Sequence, residues 1–317
     1  MKKILTCALA LVLALSLSAC AAADEPVRVF ALKGPTGIGM VGVMENHPDA
    51  YDFTLAGAGD EIVAAIASGS ADIAACPTNL AATLYNKTNG NVQLMALNTL
   101  GVLHVVSSDH SIDSFDDLAG RKVYATGQAS VPEYVVRYIL EQGGLTDKVE
   151  LEFVAEHSEL ATLMAAGKAE IGILPEPYVT SALMQNDQLK AVIDVTAAFE
   201  SAAAAAGSDM ALSMGCVIVR REFAEANPEK VEAFLDAYSE SVAFVNADAD
   251  AASQLVEKHG VMPKAAVAKR AIPNCHIVFI EGAEMRKQIA PLYEVLYTAN
   301  PKSIGGALPG DDFYYAH

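Results

Sequence analysis

The chain has 317 residues, 39 acidic and 21 basic side chains, and a formal net charge of −18. A chain of this length usually divides into two units, each with its own core. The acidic balance argues against nucleic acid as a partner, because phosphates require basic patches. Seven histidines are scattered singly and no two stand four residues apart, so the sequence carries no zinc motif.

The first twenty residues are predicted to be a lipoprotein signal peptide. Two lysines precede an apolar run over residues 4–17, which is too short to span a membrane comfortably. The run ends in LSAC at positions 17–20, where small residues permit cleavage and the thiol can carry lipid. We therefore expect a mature chain that begins at Cys20, is lipidated there and lies outside the cytoplasm. A plain secretory signal with an incidental cysteine is the alternative.

A glycine-rich turn follows the first predicted strand. Residues 27–32 are predicted to form that strand, and Lys33-Gly34-Pro35-Thr36-Gly37 leads from it to an apolar helix that starts at Met40. Glycine lets the backbone approach a ligand, and free amides at a helix start can donate to it. The turn lacks the residues of a Walker loop and the spacing of a dinucleotide fingerprint. A plain tight turn is the alternative interpretation.

Strands and helices are predicted to alternate along the rest of the chain. Strands are predicted at 51–55, 71–75, 92–98, 101–107, 121–125, 149–154, 170–174, 189–195 and 211–219, and helices at 59–68, 114–118, 158–166, 228–246, 248–258, 264–271 and 283–300. A further helix is predicted to end near Gln142, with Ser130 and Glu133 as its capping box. The strands at 101–107 and 211–219 are interpreted as two crossings between units. Residues 199–208, which are rich in alanine, stay open between helix and mobile loop.

Two segments 98 residues apart have nearly the same sequence. Residues 66–77 and 164–175 match without a gap, with a glycine, an alanine, an acid, an isoleucine and a proline in register. Each copy is typical of a helix end, a glycine C-cap, a short buried strand and a proline that opens the next helix. Thr78 or Asn79 is predicted to cap the helix after the first copy. Since ligands bind at the carboxyl ends of such strands, the repeat predicts two lobes that share a cleft. A chance match in an alanine-rich chain is the alternative.

The mature chain also carries Cys76, Cys216 and Cys275. Three widely spaced cysteines do not indicate a disulfide framework, and buried free thiols are the favoured interpretation. One bridge, between Cys216 and Cys275, stays open.

The leader, the two predicted units and the two crossings resemble the solute-binding lipoproteins of ABC importers, most closely the branch that binds nitrate, sulfonates, taurine and thiamine precursors. The segments that carry the resemblance are 33–37, 69–73, 125–128, 132–134, 175–177, 214–216 and 311–315. The resemblance implies an α/β, type II periplasmic-binding-protein fold with a two-strand hinge. Lobe 1 would comprise residues 27–103 and 213–317, and lobe 2 residues 104–212. It also implies a monomer that closes on a small solute and docks on an ABC permease with its ATPase, without a cofactor.

Carried over by position, the resemblance implies a ligand site with residues from both lobes. The first wall would contain Pro35, Thr36, Gly37, Thr78 and Asn79, the second wall Gln128, Ala129, Ser130 and Glu176, and the floor Ser213 and Met214. Only Lys33 and His104 offer positive charge nearby, which favours a neutral or weakly basic solute, such as a pyrimidine-like compound, over an anion. Because the chain has no tryptophan, the stacking candidates are Tyr134, Tyr178 and Tyr314.

Enzymes that resemble chorismate dehydratase or pyrimidine synthase use the same fold, and a lipoprotein sensor would share the features above. The predicted leader and the lack of a cysteine-rich iron motif argue against these enzymes. Neither a Ser-His-Asp order nor paired carboxylates stand out, although a buried Glu176 can act as a base. We therefore predict a solute-binding protein without enzymatic activity, held at the outer face of the membrane by its lipid.

Overall fold

The computed structural model describes residues 25–208 and 210–316. The predicted signal peptide and the lipidation site at Cys20 lie outside these residues. In the described part of the chain, eleven strands form two sheets with helices packed against them. This mixed α/β architecture confirms the predicted fold class. The same part of the chain contains no helix with the length and apolarity needed to cross a membrane.

The large sheet has six strands. They are β1 (Val27–Leu32), β2 (Tyr51–Ala56), β3 (Ile73–Pro77), β4 (Val92–Leu100), β10 (Ser213–Arg220) and β11 (Ile277–Glu281), arranged in the order β11-β4-β10-β3-β1-β2. β1 is parallel to β2 and β3, and β10 is antiparallel to β3 and β4. The sequence did not predict β11, which joins the edge of this sheet beside β4.

The small sheet has five strands. They are β5 (Leu103–Ser107), β6 (Lys122–Ala125), β7 (Glu150–Phe153), β8 (Ile171–Pro175) and β9 (Lys190–Asp194), arranged in the order β7-β6-β8-β5-β9. β6 is parallel to β7 and β8, whereas β5 is antiparallel to β8 and β9. Parallel neighbours cannot be joined by a tight turn, so a helical crossover connects each such pair.

Helices occupy most of the connections between these strands. Those among the described residues are α1 (Pro35–Ile38), α2 (Val41–Asn46), α3 (Gly59–Ser68), α4 (Thr78–Lys87), α5 (Val131–Gln142), α6 (His157–Ala165), α7 (Tyr178–Gln185), α8 (Val195–Ala205), α9 (Arg221–Ala226), α10 (Pro228–Ala247), α11 (Ala249–Lys258), α12 (Ala265–Ala271) and α13 (Gly282–Ala299). The alanine-rich stretch is helical in α8, because Phe199 and Ala203 are buried on one face of it. The predicted short helix at 114–118 is a 3-10 turn, Phe115–Leu118, where the Asp117 carboxylate accepts from the Ser114 amide at 3.0 Å.

The two faces of the large sheet belong to different core clusters. Cys76 and Cys216 point into the cluster that also contains side chains of the small sheet, such as Val105 and Ile173. Their strand neighbours Ala75 and Val217 point to the opposite face, where Cys275 is also buried. In this structure all three cysteines are free thiols. A bridge between Cys216 and Cys275, which the sequence left open, is therefore not formed, since the sheet separates them.

The two sequence repeats adopt the same local structure. Gly69 and Gly167 end their helices with φ angles of 73° and 68°, which glycine adopts without steric cost. The prolines Pro77 and Pro175 end β3 and β8, and a helix follows each. The predicted helix-strand-helix unit is therefore present in both sheets.

The acidic residue of each repeat immediately precedes its strand and forms ion pairs. Asp72 is buried and accepts hydrogen bonds from Arg28 Nε at 2.9 Å and Arg220 Nη2 at 2.9 Å. Burial alone would raise the pKa of Asp72, but the two guanidinium groups outweigh it and hold the pKa below its ordinary value. In the second repeat Glu170 pairs with Arg121 at 3.0 Å, and its side chain is 63% exposed.

We expect Asp72→Asn to lower the free energy of unfolding by about 3 kcal/mol at pH 7, because it breaks a buried ion pair. The folded-state pKa lies below the unfolded value, so this stabilisation is present above about pH 4 and is lost as pH falls through the folded pKa. Urea unfolding at pH 7 and pH 3 measures both effects. The matched control Glu170→Gln removes an exposed pair and should change stability by at most about 0.5 kcal/mol. Equal losses in the two variants would contradict this account.

The first crossing between the sheets has no room for a side chain at Gly101. This residue and Val102 connect β4 to β5. A Cβ atom on Gly101 would lie 2.0 Å from Thr196 Oγ1. The carbonyl oxygen of Gly101 lies 2.5 Å from His276 Nδ1, which must donate to it. The crossing is thus fixed by contacts on both sides.

Gly101→Ala is expected to lower the free energy of unfolding by about 1–3 kcal/mol, because the added methyl group overlaps the Thr196 side chain. Thermal unfolding measures the change. Gly57→Ala is the control, since its Cβ would meet only Glu61 Oε1 at 3.3 Å. An unchanged melting temperature in Gly101→Ala would show that the crossing relaxes freely.

Candidate functional site

The carboxyl ends of β1 and β3 lie together at one edge of the large sheet. The parallel register aligns Ala31 with Ala75, so Leu32 and Pro77 end side by side. The antiparallel strands β4 and β10 reach the same edge, where Leu100 pairs with Ser213. We call this the large-sheet edge.

Three strands of the small sheet end together in the same way. Ala125 of β6 is in register with Phe153 of β7 and with Ile173 of β8. Leu103, the first residue of β5, pairs with Pro175. We call this the small-sheet edge.

Two hydrogen bonds between side chains join the two edges. A backbone hydrogen bond from the Glu176 amide to the Val102 carbonyl, at 2.9 Å, extends the β5–β8 ladder to the crossing that leads from β4. Asn274 Nδ2 donates to Glu176 Oε1 at 3.5 Å, and Asn300 Nδ2 donates to the Tyr134 hydroxyl at 3.0 Å. The two edges therefore face each other, which is the arrangement that the sequence repeat predicted for a cleft.

The glycine-rich turn forms the one-turn helix α1 at the large-sheet edge. Thr36 and Gly37 are buried and Pro35 is half-buried. The carbonyl of Thr36 accepts from Asn98 Nδ2 at 3.3 Å. A Cβ on Gly37 would lie 2.7 Å from the Leu32 carbonyl oxygen, so the close return of the chain requires glycine here.

The start of α4 has no side-chain cap. The prediction that Thr78 or Asn79 caps this helix is wrong, because Pro77 occupies the N-cap position. Thr78 Oγ1 donates instead to the carbonyl of buried Ser213 at 3.0 Å, and Asn79 Nδ2 donates to the Ser303 carbonyl at 3.3 Å. The first-turn amides of α4 are consequently left for another acceptor.

The start of α5, on the small-sheet edge, is also uncapped. The predicted capping box is wrong, since Ser130 Oγ donates to the Gly127 carbonyl at 2.7 Å and Glu133 accepts from the Ala129 amide at 2.7 Å. Gln128 and Ala129 are exposed, and Ser130 is half-buried. Each edge thus presents helix starts without a side-chain cap, among them those of α4 and α5.

Glu176 is 2% exposed and its carboxylate is already engaged. It accepts from the amide and the hydroxyl of Thr180 at 3.1 and 3.0 Å, as well as from Asn274. Burial raises the pKa of Glu176 above its ordinary value, although these hydrogen bonds oppose the shift. The residue therefore stabilises the first turn of α7 and touches the opposite edge.

Sequence reasoning missed His157, the first residue of α6. Its Nδ1 lies 2.6 Å from Thr126 Oγ1, and its ring lies 5.2 Å from the Tyr178 ring. Thr126, His157 and Tyr178 follow the neighbouring strands β6, β7 and β8, so they share the small-sheet edge.

Nε2 of His157 has no hydrogen-bond partner among residues 25–208 and 210–316. Burial lowers the pKa of His157, while Glu156 opposes this shift, so the ring is neutral at pH 7. The one sequence signal for His157 was its position shortly after the predicted strand at 149–154.

The other candidates are divided between the two ends of the strands. Met214 is half-exposed at the large-sheet edge, and Lys33 is exposed there. His104 lies on β5, where burial lowers its pKa. Tyr314 is bridged to Leu94 near the start of β4, at the opposite end from the edge, so it does not join the site. Within the described part of the chain, no three His, Cys, Asp or Glu residues are arranged to hold a metal.

Glu176→Gln is expected to be more stable than the parent at pH 8. With a raised folded-state pKa, the stabilisation by the protonated acid is fully present below the unfolded pKa and is lost as pH rises through the folded pKa. The advantage of the amide should therefore shrink as pH falls to about 4. Denaturant titrations of variant and parent at the two pH values test this. The difference in unfolding free energy, variant minus parent, should be larger at pH 8 than at pH 4, and the opposite order would contradict the prediction.

Comparison with solved structures places this architecture among periplasmic binding proteins. An ABC transporter structure from Parabacteroides distasonis is 22% identical, with a TM-score of 0.79, over 92% of this chain and 99% of that chain. The periplasmic aliphatic sulphonate-binding protein SsuA of Escherichia coli is 18% identical, with a TM-score of 0.71, over 92% of each chain. The periplasmic nitrate-binding protein NrtA of Synechocystis PCC 6803 is 14% identical, with a TM-score of 0.55, over 82% of this chain and 74% of that chain.

A search of curated protein sequences finds no match. A family model does match, however, and it describes the periplasmic substrate-binding protein of phosphonate ABC transporters. The match covers residues 50–265, which include most of both sheets and both helix starts of the facing edges. The chain therefore belongs to the phosphonate-binding family of ABC-transporter periplasmic substrate-binding proteins.

Proposed function

We propose that this chain binds a small organic oxyanion, of the phosphonate or sulfonate kind, between the two edges and delivers it to a permease and its ATPase. The observation that carries the proposal is the pair of uncapped helix starts, α4 on the large-sheet edge and α5 on the small-sheet edge. Free first-turn amides and the helix dipole together favour a bound anion.

Neutral donors can replace the basic side chain that the sequence lacks. To the helix amides the small-sheet edge adds the exposed amide of Gln128 and Nε2 of His157, which donates in the tautomer whose Nδ1 accepts from the Thr126 hydroxyl. Because these donors favour an anion, we propose an oxyanion as the ligand in place of the neutral, pyrimidine-like solute that the sequence favoured. The family's phosphonate description and the sulphonate and nitrate binding named for two structural relatives support the same choice.

The proposed binding cycle uses the two sheets as lobes that close on the solute. Lobe 1 would comprise residues 27–103 and 213–317 and lobe 2 residues 104–212, with the strand crossings as hinge. The proposed walls keep Pro35, Thr36, Gly37, Thr78 and Asn79 on one side, Gln128, Ala129, Ser130 and Glu176 on the other, and Ser213 and Met214 at the floor. Closure is then a population shift driven by contacts to both walls.

The proposed cellular setting is the outer face of a membrane. The leader at 1–20 supports export, and Cys20 supports a lipid anchor on a monomeric protein. We expect no turnover of the bound solute, because the one buried acid of the site, Glu176, is held by Thr180 and Asn274.

Calorimetry with methylphosphonate, ethanesulfonate, nitrate and a hydroxymethylpyrimidine tests the ligand class. We expect at least one oxyanion to bind with Kd of about 1 μM or tighter, and His157→Ala to weaken it by about tenfold through loss of a donor. His110→Ala is the matched control, since its Nε2 contacts the Gln188 carbonyl at 2.8 Å, away from the site. Tighter binding of the pyrimidine than of every oxyanion would overturn the proposal.

A further inference from the structure

Two cysteines face each other across neighbouring strands of the large sheet. Cys76 on β3 is in register with Cys216 on the antiparallel strand β10, and both are 0% exposed. Cys216 Sγ lies 3.5 Å from the Cys76 carbonyl oxygen. Since both side chains project into the same core cluster, the two thiols lie on one face of the sheet.

The backbone spacing at this pair suits a disulfide. On the same ladder the amide of Arg220 donates to the carbonyl of Asp72 at 2.9 Å. Hydrogen-bonded pairs alternate along an antiparallel ladder, so Cys76 and Cys216 also form one. Such pairs have Cα atoms about 5.5 Å apart, within the range of about 4.4–6.8 Å found in disulfides.

We propose that Cys76 and Cys216 form a disulfide when the chain folds outside the cytoplasm, where its family resides. One thiolate attacks an extracytoplasmic disulfide oxidant and forms a mixed disulfide, and the second thiolate then displaces the oxidant's sulfur. Two protein thiols and one oxidant disulfide give one protein disulfide and two oxidant thiols. The two electrons and the two protons pass to the oxidant.

The bond forms before the strands close over the thiols. Burial raises the pKa of the Cys216 thiol well above its ordinary value, and the neighbouring Cys76 adds to the effect. Because the thiolate is the reactive species, the folded dithiol reacts slowly with oxidants. The completed disulfide is equally shielded from reductants.

The disulfide would brace the large-sheet edge of the proposed site. Its cysteines are 140 residues apart in sequence, and all five strands of the small sheet lie between them. Two residues beyond Cys76, the Thr78 hydroxyl bonds to the Ser213 carbonyl and links the same two strands. The disulfide therefore ties β10, the strand through which the chain re-enters the large sheet, to β3.

Thiol mapping of the full-length chain tests the proposal. The reduced, unfolded chain is refolded with oxidised glutathione or with excess dithiothreitol, then denatured, alkylated with iodoacetamide and digested. After oxidising refolding we expect one linked peptide pair that contains Cys76 and Cys216, two hydrogens lighter than the thiols, with Cys275 alkylated. The oxidised form should melt about 5 °C or more above the reduced form.

Single substitutions separate this pair from the remaining thiol. Cys275→Ala should keep the oxidant-dependent rise in melting temperature, whereas Cys76→Ala and Cys216→Ala should each abolish it. A tryptic cut after Arg28 leaves Cys7 and Cys20 on a peptide apart from those of Cys76, Cys216 and Cys275, so they do not affect the assignment. Alkylation of both Cys76 and Cys216 after oxidising refolding, or a link from either to Cys275, would overturn the proposal. Peptide mapping of the unsubstituted chain decides the matter even where a variant fails to fold.

Discussion

The arrangement of the two facing sheet edges depends on one constraint, the parallel pairing of β1 with β3 and of β6 with β8. A parallel pair requires a crossover that returns the chain to its starting side, so both strands end at the same edge. Every turn from strand to helix is therefore gathered there. Asp72 secures the other end of the large sheet, where it joins β1 through Arg28 and β10 through Arg220.

The polar residues at the large-sheet edge act on the proposed ligand site mainly through the backbone. Thr78 and Asn79 donate to the Ser213 and Ser303 carbonyls and so hold neighbouring loops. Because neither side chain folds back onto its own helix, the first amides of α4 stay available. Ser130 and Glu133 leave the start of α5 uncapped in the same way. Donors supplied by helix starts carry only partial charge, which suits reversible binding of a small anion.

Few contacts between side chains join the two facing edges. The Asn274–Glu176 and Asn300–Tyr134 hydrogen bonds each involve a neutral amide. Bonds of this kind contribute about 1 kcal/mol each, so they do not lock the edges together by themselves. In the proposed binding cycle, a solute that contacts both edges adds the free energy that decides between the open and closed states.

The sequence by itself determined the alternation of strands and helices, the repeated unit and the two-sheet class. Glycine at positions 69 and 167 and proline at positions 77 and 175 restrict the backbone locally, whatever surrounds them. It also placed the candidate walls close to strand ends, since the end of a buried strand is visible as the end of an apolar run.

Only the tertiary structure decided which partner each polar side chain takes. Thr78 and Asn79 fit local capping patterns, yet each donates to a carbonyl on a distant segment. Ser213 and Ser303 lie far along the chain from α4, so no local rule could identify them. The alignment of β6, β7 and β8 places His157 beside Thr126 and Tyr178, and the register of β3 with β10 places Cys76 opposite Cys216. Register and sheet order arise from long-range packing, which local sequence patterns do not encode.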